Sequence, residues 1–458
     1  MKKGEIIDCD IEKLVFGGMG IATIDGLKVF IAETVPGDRA KVRITKKKAH
    51  YAEGKLLEII RPSVKRTIPF CRHFGICGGC TWQFLSYPDQ LTYKEAIVKE
   101  SLEHIGDLQN IDLKPIVGCA MVKEYRNKME FSFAYDEQGK ADIGLHPKGF
   151  HYDVFTLIEC YLPSPQYTQL VLKIREWLQT FNISIYQPRT DSGLLKTVVI
   201  RNNQKQELLI NFITTKGAMP HSNELLAAIK DSNVISLFQT EIHARKGKPT
   251  TRKVTLIWGK DYLSEELSLG KPWGNLRFNI YPEAFFQPNP QQAQKLYALA
   301  LDAANIQSSD TVLDLYCGTG TLGLFASRRA KHVIGVDNVP DAIKSAQANA
   351  QQNNISNIEL HTGDAAQILS QISITPTIAI IDPPRAGMMP ETIELLTKLP
   401  LQRLVYISCN PTTQARDIKL LQEHGYVFQY AQPVDMFPHT YHIENIAVLR
   451  KMSATISL

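Results

Sequence analysis

Apolar and polar positions follow two different periods along this chain, and the change of period divides it. Over residues 1–62 the apolar positions come in short runs: Ile6-Ile7, Val29-Phe30-Ile31, Val42-Arg43-Ile44 and Leu56-Leu57. Turn chemistry separates them, at Gly17-Gly18-Met19-Gly20, Asp25-Gly26 and Pro36-Gly37-Asp38. Five short strands joined by such turns predict a small OB-like β-barrel of the oligonucleotide-binding kind. Residues 63–280 predict a cysteine-rich stretch followed by an α+β segment. That segment carries a helical pattern near Leu170 to Phe181 and strands at 197–200 and 208–212. Over 281–458 strand and helix alternate, with strands expected at 311–315, 332–336, 357–361, 378–382 and 403–408, then near 426–430 and 444–449. That alternation predicts a mostly parallel sheet covered on both faces, a Rossmann-like α/β domain.

Composition narrows this only a little. The 458 residues are 44% hydrophobic and 21% charged, ordinary for globular domains. The formal net charge of +5 decides nothing about nucleic acid, but its distribution is informative. Lys41, Arg43, Lys46, Lys47, Lys48, Lys55, Arg61, Lys65 and Arg66 gather in or beside the first module, with His50 and Tyr51 among them. Cations interleaved with aromatic rings suit single-stranded RNA. A solvated basic loop is the alternative reading of such a run. No apolar run follows Met1-Lys2-Lys3-Gly4-Glu5, and no stretch is long enough to cross a bilayer. A cytoplasmic protein with reduced cysteines is therefore expected.

Cys71, Cys77 and Cys80 form C-x5-C-x2-C, and Gly78-Gly79 let the backbone wrap around an inorganic centre. Three thiolates need a fourth ligand, for which Cys160 is the best candidate. Spacing alone leaves an iron–sulfur cluster and zinc equally open, with an unmetallated cluster as a third reading. Cys9, Cys119 and Cys317 are expected to be small buried residues.

Val312-Leu313-Asp314-Leu315-Tyr316-Cys317-Gly318-Thr319-Gly320 reads as a strand entering a glycine turn, where a ligand approaches the backbone closely. Asp337 ends the next strand and is placed to accept from ribose hydroxyls; Asp364 follows the third and is expected to accept from an adenine amino group. The pyrophosphate fingerprint is incomplete, so a nucleoside such as S-adenosylmethionine fits better than NAD. Surface caps are the alternative role for these acids. Asp382-Pro383-Pro384-Arg385 closes the fourth strand. Arg385 stands where amino-group methyltransferases place a stacking ring, which argues against amine methylation.

Cys409, in Ile407-Ser408-Cys409-Asn410-Pro411, and Glu444 complete the constellation. Carbon 5 of uracil is a weak nucleophile. A thiolate adding at carbon 6 activates it, and a base must later remove the carbon 5 proton. Cys409 is the candidate nucleophile, favoured as thiolate by a helix beginning near Pro411. Glu444 is the candidate base, and Asp382 a contact for base or cofactor. Separately, Cys409 is more often a core cysteine, Glu444 a surface carboxylate, and His439 and His442 satisfied loop histidines.

Asp382-Pro383-Pro384-Arg385, Ser408-Cys409-Asn410-Pro411 and Pro438-His439-Thr440-Tyr441-His442-Ile443-Glu444-Asn445 resemble the signature motifs of RNA 5-methyluridine methyltransferases. Phe285-Phe286-Gln287-Pro288-Asn289 resembles that family's element before the first cofactor strand. The resemblance spans nearly the whole chain. It implies a TRAM domain over 1–62, a [4Fe–4S] site at Cys71, Cys77, Cys80 and Cys160, and a methyltransferase domain over 281–458. It implies Cys409 as nucleophile, Glu444 as base, and Gln287, Tyr316, Asp337, Asp364 and Asp382 as cofactor-binding positions. Tyr316 stands where many members have Phe, and Thr321 where some have Asn. The expected substrate is a uridine in structured RNA, 23S ribosomal RNA before transfer RNA, flipped into the cleft of a monomeric enzyme. A non-catalytic RNA-binding protein and a DNA cytosine methyltransferase are the competing readings. The first requires a lost Cys409, Glu444 or cofactor acid, and none is lost. The basic barrel and the Ser-Cys-Asn-Pro context disfavour the second.

Overall fold

The computed structural model describes residues 1–150, 152–243, 250–371 and 375–452. The N-terminal module has six strands, β1 (Ile6–Asp10), β2 (Lys13–Leu14), β3 (Gly20–Ile24), β4 (Leu27–Ile31), β5 (Arg39–Lys47) and β6 (Tyr51–Arg61), in the order β1-β5-β6-β4-β3-β2. The strand beyond the expected five is the two-residue β2, too short to register as a period. Alternation sets the faces: Ala40, Val42 and Ile44 of β5 point into the core with Cys9, Val29 and Ile31, while Arg39 and Arg43 point out. Asp25 (φ 49°) and Gly26 (φ 78°) are both left-handed, which matches the turn between β3 and β4 to the strand twist. Part of the basic run is taken up internally. Lys41 pairs with Glu58, Lys46 with Glu53, and Arg66 with the buried Asp38. Arg43, Lys48 and Lys55 make no ion pair among the described residues.

Helix α1 (Tyr87–His104) starts at Ser86, whose hydroxyl accepts from the Asp89 N–H (3.3 Å). It packs not on the sheet that follows it in sequence but on the C-terminal one. Val98, Leu102 and Leu108 join that sheet's core. Lys94, fully buried, donates to Asp435 Oδ1 at 2.6 Å, and Tyr87 donates to Asp435 Oδ2 at 2.8 Å. A buried lysine demands such a partner, and Asp435, far along the chain, supplies it.

The central sheet contains β7 (Lys128–Tyr135), β8 (Ala141–Leu145), β9 (Phe155–Thr156), β10 (Leu195–Asn202), β11 (Leu208–Thr214), β12 (Val234–His243) and β13 (Thr251–Gly259). Their order is β13-β12-β11-β10-β7-β8-β9. Helices α2 (Pro165–Thr180) and α3 (Ser222–Ile229) bury Trp177, Leu178 and Leu225 against Phe131 and Phe212. A hairpin of β14 (Leu263–Ser268) and β15 (Asn275–Ile280) leads on to the last sheet.

That sheet holds β16 (Thr311–Leu315), β17 (His332–Asp337), β18 (Ile358–Thr362), β19 (Ile378–Ile381), β20 (Arg403–Ser408), β21 (Tyr426–Val434) and β22 (Glu444–Lys451). The order is β18-β17-β16-β19-β20-β22-β21, and β22 runs antiparallel to both its neighbours. Helices α4 (Pro290–Ala304), α5 (Thr321–Ala326), α6 (Pro340–Gln352), α7 (Ala365–Leu369), α8 (Pro390–Lys398) and α9 (Pro411–Glu423) accompany it. Near-continuous apolar strands such as Thr311–Leu315 fit a sheet buried on both faces, and a separate apolar cluster fills each side. No described helix is long and apolar enough to cross a membrane.

Candidate active site

A cavity of about 1360 Å³ opens at the carboxyl ends of β16, β17, β19 and β20, where ligands bind in open α/β sheets. Gln287, Tyr316, Asp337, Asp382, Cys409 and Glu444 all line it. Asp364 does not. Its Oδ1 accepts from the N–H groups of Ala366 (3.0 Å) and Gln367 (3.2 Å), so it caps α7. Both bonds fall on Oδ1, so one oxygen of Asp364 serves the helix cap.

The loop after β16 is shaped by backbone conformation. Tyr316 (φ 65°) is a left-handed aromatic residue, and Gly318 (φ 55°) and Gly320 (φ 79°) follow. Such geometry is uncommon without glycine and clusters at ligand sites. Asp337 braces this loop from the neighbouring strand: Gly318 N–H donates to its Oδ2 (2.9 Å) and Val339 N–H to its Oδ1 (2.8 Å). Asp314 accepts from Gly323 N–H at 2.7 Å, and a Cβ at Gly323 would stand 2.8 Å from that oxygen.

The pairing of β20 with β22 explains how residues distant in sequence meet. Ser408 lies opposite Asn445, so the next step of the register sets Cys409 against Glu444. Asn410 caps α9 by accepting from Thr412 N–H (3.1 Å), and its amide donates to Arg385 O (3.0 Å), tying the cysteine loop to the proline pair. Arg385, which stands where amino-group methyltransferases place a stacking ring, lines the cavity near the Cys409 thiol and favours its ionised form.

Burial sets the electrostatics. The Cys409 thiol is pushed up to about 11 by burial and then by Glu444 and Asp382, with Arg385 opposing. The dipole of α9 does not make it a thiolate in the substrate-free protein, because burial and two neighbouring carboxyls outweigh it. Burial raises Asp382 and Asp314 to about 7, and raises Glu444 well above the usual carboxylate range with Asp382 adding to it. His442 also lines the cleft and is lowered to about 4 by burial and by Arg385. His439 is a satisfied loop residue, bonded to Gln90 (3.2 Å) and to Val122 O (2.9 Å).

Sequence reasoning did not single out Arg126 or Tyr297, which also line the cavity, and took Cys317 for a core residue although it faces the cleft. Tyr125-Arg126-Asn127-Lys128, alternating buried and half-buried into β7, was the available signal for Arg126.

Cys71, Cys77, Cys80 and Cys160 line a second cavity of about 660 Å³ beside the first. Burial, and then the neighbouring sulfurs among other charges, push Cys80 up to about 12 and Cys160 to about 11. Gly79 N–H donates to Cys77 Sγ at 3.3 Å. Among the described residues no three His, Cys, Asp or Glu close on a point that would hold a metal ion. The expected cluster thus has its four thiols around one cavity but no preformed cage.

Residues 202–452 match a family model described as tRNA (Uracil-5-)-methyltransferase, and residues 1–57 match the TRAM domain. An uncharacterized RNA methyltransferase of Clostridium tetani is 35% identical over 457 residues, 98% of this chain and 99% of that protein. One of Bacteroides thetaiotaomicron is 36% identical over 456 residues, 94% of this chain and 98% of that protein. The crystal structure of Pyrococcus abyssi tRNA (uracil-54, C5)-methyltransferase in complex with S-adenosyl-L-homocysteine superimposes with a TM-score of 0.76 at 25% identity. It covers 97% of this chain and 100% of its own.

Proposed function

Since the chain belongs to the RNA uracil-5-methyltransferases, S-adenosylmethionine-dependent enzymes with a TRAM domain, we propose that Cys409 and Glu444 carry the chemistry on a uridine of 23S ribosomal RNA. The observation that carries this reading is the meeting of a thiol, a buried carboxyl and Arg385 at the end of β20, inside the cofactor cleft.

S-adenosylmethionine supplies an electrophilic methyl group. The Cys409 sulfur, once deprotonated beside Arg385, adds to carbon 6 of the flipped uracil. Carbon 5 then takes the methyl group as the bond between that methyl and the sulfonium sulfur breaks, leaving S-adenosylhomocysteine; Glu444 accepts the carbon 5 proton, and the carbon 6–sulfur bond breaks to release methylated RNA and the thiolate. A carboxylate raised by burial is a stronger base than a solvated one. Gln287, Tyr316, Asp337 and Asp382 hold the cofactor in this reading. Asp337 braces the glycine loop through Oδ2 and its own following turn through Oδ1, and Asp382 lines the cleft beside Cys409. Asp364 joins them through the oxygen that its cap of α7 leaves over.

We assign Cys71, Cys77, Cys80 and Cys160 to a [4Fe–4S] cluster. Four thiols around one cavity support it, and a cubane spreads its ligands over more space than a single tetrahedral ion does. Its role here is to tie residues 71–80 to 160, away from the reacting atoms. The division at 62/63 and 280/281, a monomeric state and a cytoplasmic location belong to the same proposal. The TRAM module together with four clustered cysteines supports the ribosomal substrate; the Pyrococcus relative's tRNA supports the alternative.

Incubation with S-adenosylmethionine and transcripts containing 5-fluorouridine tests all of this, because fluorine blocks proton removal. A methylated adduct mapping to Cys409 on 23S RNA is expected. An adduct on tRNA alone would move the substrate, and no adduct in protein that binds both ligands would refute the roles of Cys409 and Glu444.

A further inference from the structure

The wall between the two cavities carries cations that the methyl-transfer chemistry does not use. Arg126 lines both cavities, and Lys128 and Arg201 line the cysteine cavity. Lys128 of β7 and Arg201 of β10 are direct partners across the antiparallel pair. Like charges placed directly opposite destabilise a sheet, so this juxtaposition needs a counter-charge.

The protein's carboxylates supply little, and the four thiols on this cavity carry charge only as they take up a cluster. Arg201 is only 3% exposed, and the side-chain hydrogen bond it makes is to Ala284 O (2.5 Å); its Nε is buried without a partner. The Nε of Arg126 is buried and unpartnered as well. Burial, Arg201 and Arg126 all lower Lys128, and Glu130 is the acid that opposes them. Other carboxylates nearby are engaged elsewhere, Glu159 with Arg72 (3.3 Å) and Glu33 with Lys148 (3.0 Å). A buried guanidinium without an anion is costly.

We propose that Arg126, Lys128 and Arg201 form a cradle for an RNA backbone phosphate next to the target uridine, on the wall shared with the uracil cleft. Guanidinium forks match phosphate oxygens in geometry, and one phosphodiester supplies the missing negative charge. The loop that Arg201 holds at Ala284 is the one that continues to Gln287 in the cleft, so a phosphate seated here sets the depth to which the next nucleotide reaches. This inference rests on the RNA uracil-5-methyltransferase reading.

The test is the salt dependence of RNA binding by full-length protein, using fluorescein-labelled transcripts of 23S RNA and of tRNA. Lys128→Gln and Arg201→Gln are each expected to weaken binding and to flatten the log–log salt slope by roughly 0.7–0.9, the signature of one lost phosphate contact. S-adenosylmethionine affinity and bound iron are expected to stay at wild-type values. Where Arg201→Gln fails to fold, the half-buried Lys128→Gln decides alone. Wild-type slopes in the variants, with or without loss of iron, overturn the cradle; loss of iron would instead assign the cations to balancing the thiolates. Wild-type protein that binds neither transcript would overturn the cradle and the RNA reading together, which separates the two failures.

Discussion

In the cofactor cleft the buried groups are acids, Asp314 and Asp382 held up at about 7 and Glu444 raised well above the usual carboxylate range. In the cysteine cavity across the shared wall they are thiols and cations, with Cys80 pushed to about 12 and Arg201 lowered to about 10. Burial penalises charge in both places, and the sign of the residue decides what each cavity then lacks. In the cleft burial holds the carboxyls toward their neutral forms, which suits a neutral ring. The cysteine cavity gathers thiols and cations on one wall. Arg126 and Arg385 are cations that reach into the cleft, and Arg385 favours the ionised form of the Cys409 thiol.

Four changes test that contrast, beginning with the largest. Cys409→Ala should lower methyl transfer by about 10⁴-fold or more and remove the covalent 5-fluorouridine adduct. Equilibrium dialysis should show S-adenosylmethionine still bound. Glu444→Gln should slow turnover by about 10²–10⁴-fold. Denaturing gels should then show a methylated Cys409 adduct persisting on ordinary uridine RNA, because addition no longer needs the base. If Glu444→Gln slowed turnover without any adduct, the carboxyl would act before carbon–sulfur bond formation and the assignment would change.

The third change is in pH. Asp314 and Asp382 have folded values of about 7 against 3.8 in an unfolded chain. The native state therefore binds protons more tightly, and its stability advantage is complete below about 4 and lost as pH rises through about 7. Thermal melts of ligand-free protein should fall between pH 5 and pH 8, and Asp382→Asn should flatten the decline. A melting temperature that rises over that window would contradict the protonated cleft. The smallest effect on chemistry is expected from Cys80→Ser. It should abolish bound iron and lower the melting temperature while single-turnover methyl transfer stays within about tenfold, because the thiol lies in the other cavity.

Much of the cleft was legible because its parts are local. A strand that ends in Asp382-Pro383-Pro384 or Ser408-Cys409-Asn410 announces a loop at the sheet's carboxyl edge, and Asn410-Pro411 announces the helix that follows. The capping role of Asp364 was not legible in the same way. An aspartate before Ala365-Ala366 looks alike as ligand and as cap, and the bonds from Ala366 and Gln367 to one of its oxygens show the cap. Helix α1 carries no such local mark: its sequence neighbours form the central sheet, while its buried Lys94 pairs with Asp435.

By itself the sequence determined the alternation of elements along the chain, through periodicity, and the family, through motifs that resemble that family's. The same motifs singled out the candidate thiol, carboxyls and cysteine quartet. Tertiary structure alone decided that Glu444 faces Cys409 through the β20–β22 register, that Arg385 reaches the thiol, and that Lys128 opposes Arg201. Proton affinity and pairing depend on what surrounds a group in space, and those neighbours come from other strands and loops of the chain.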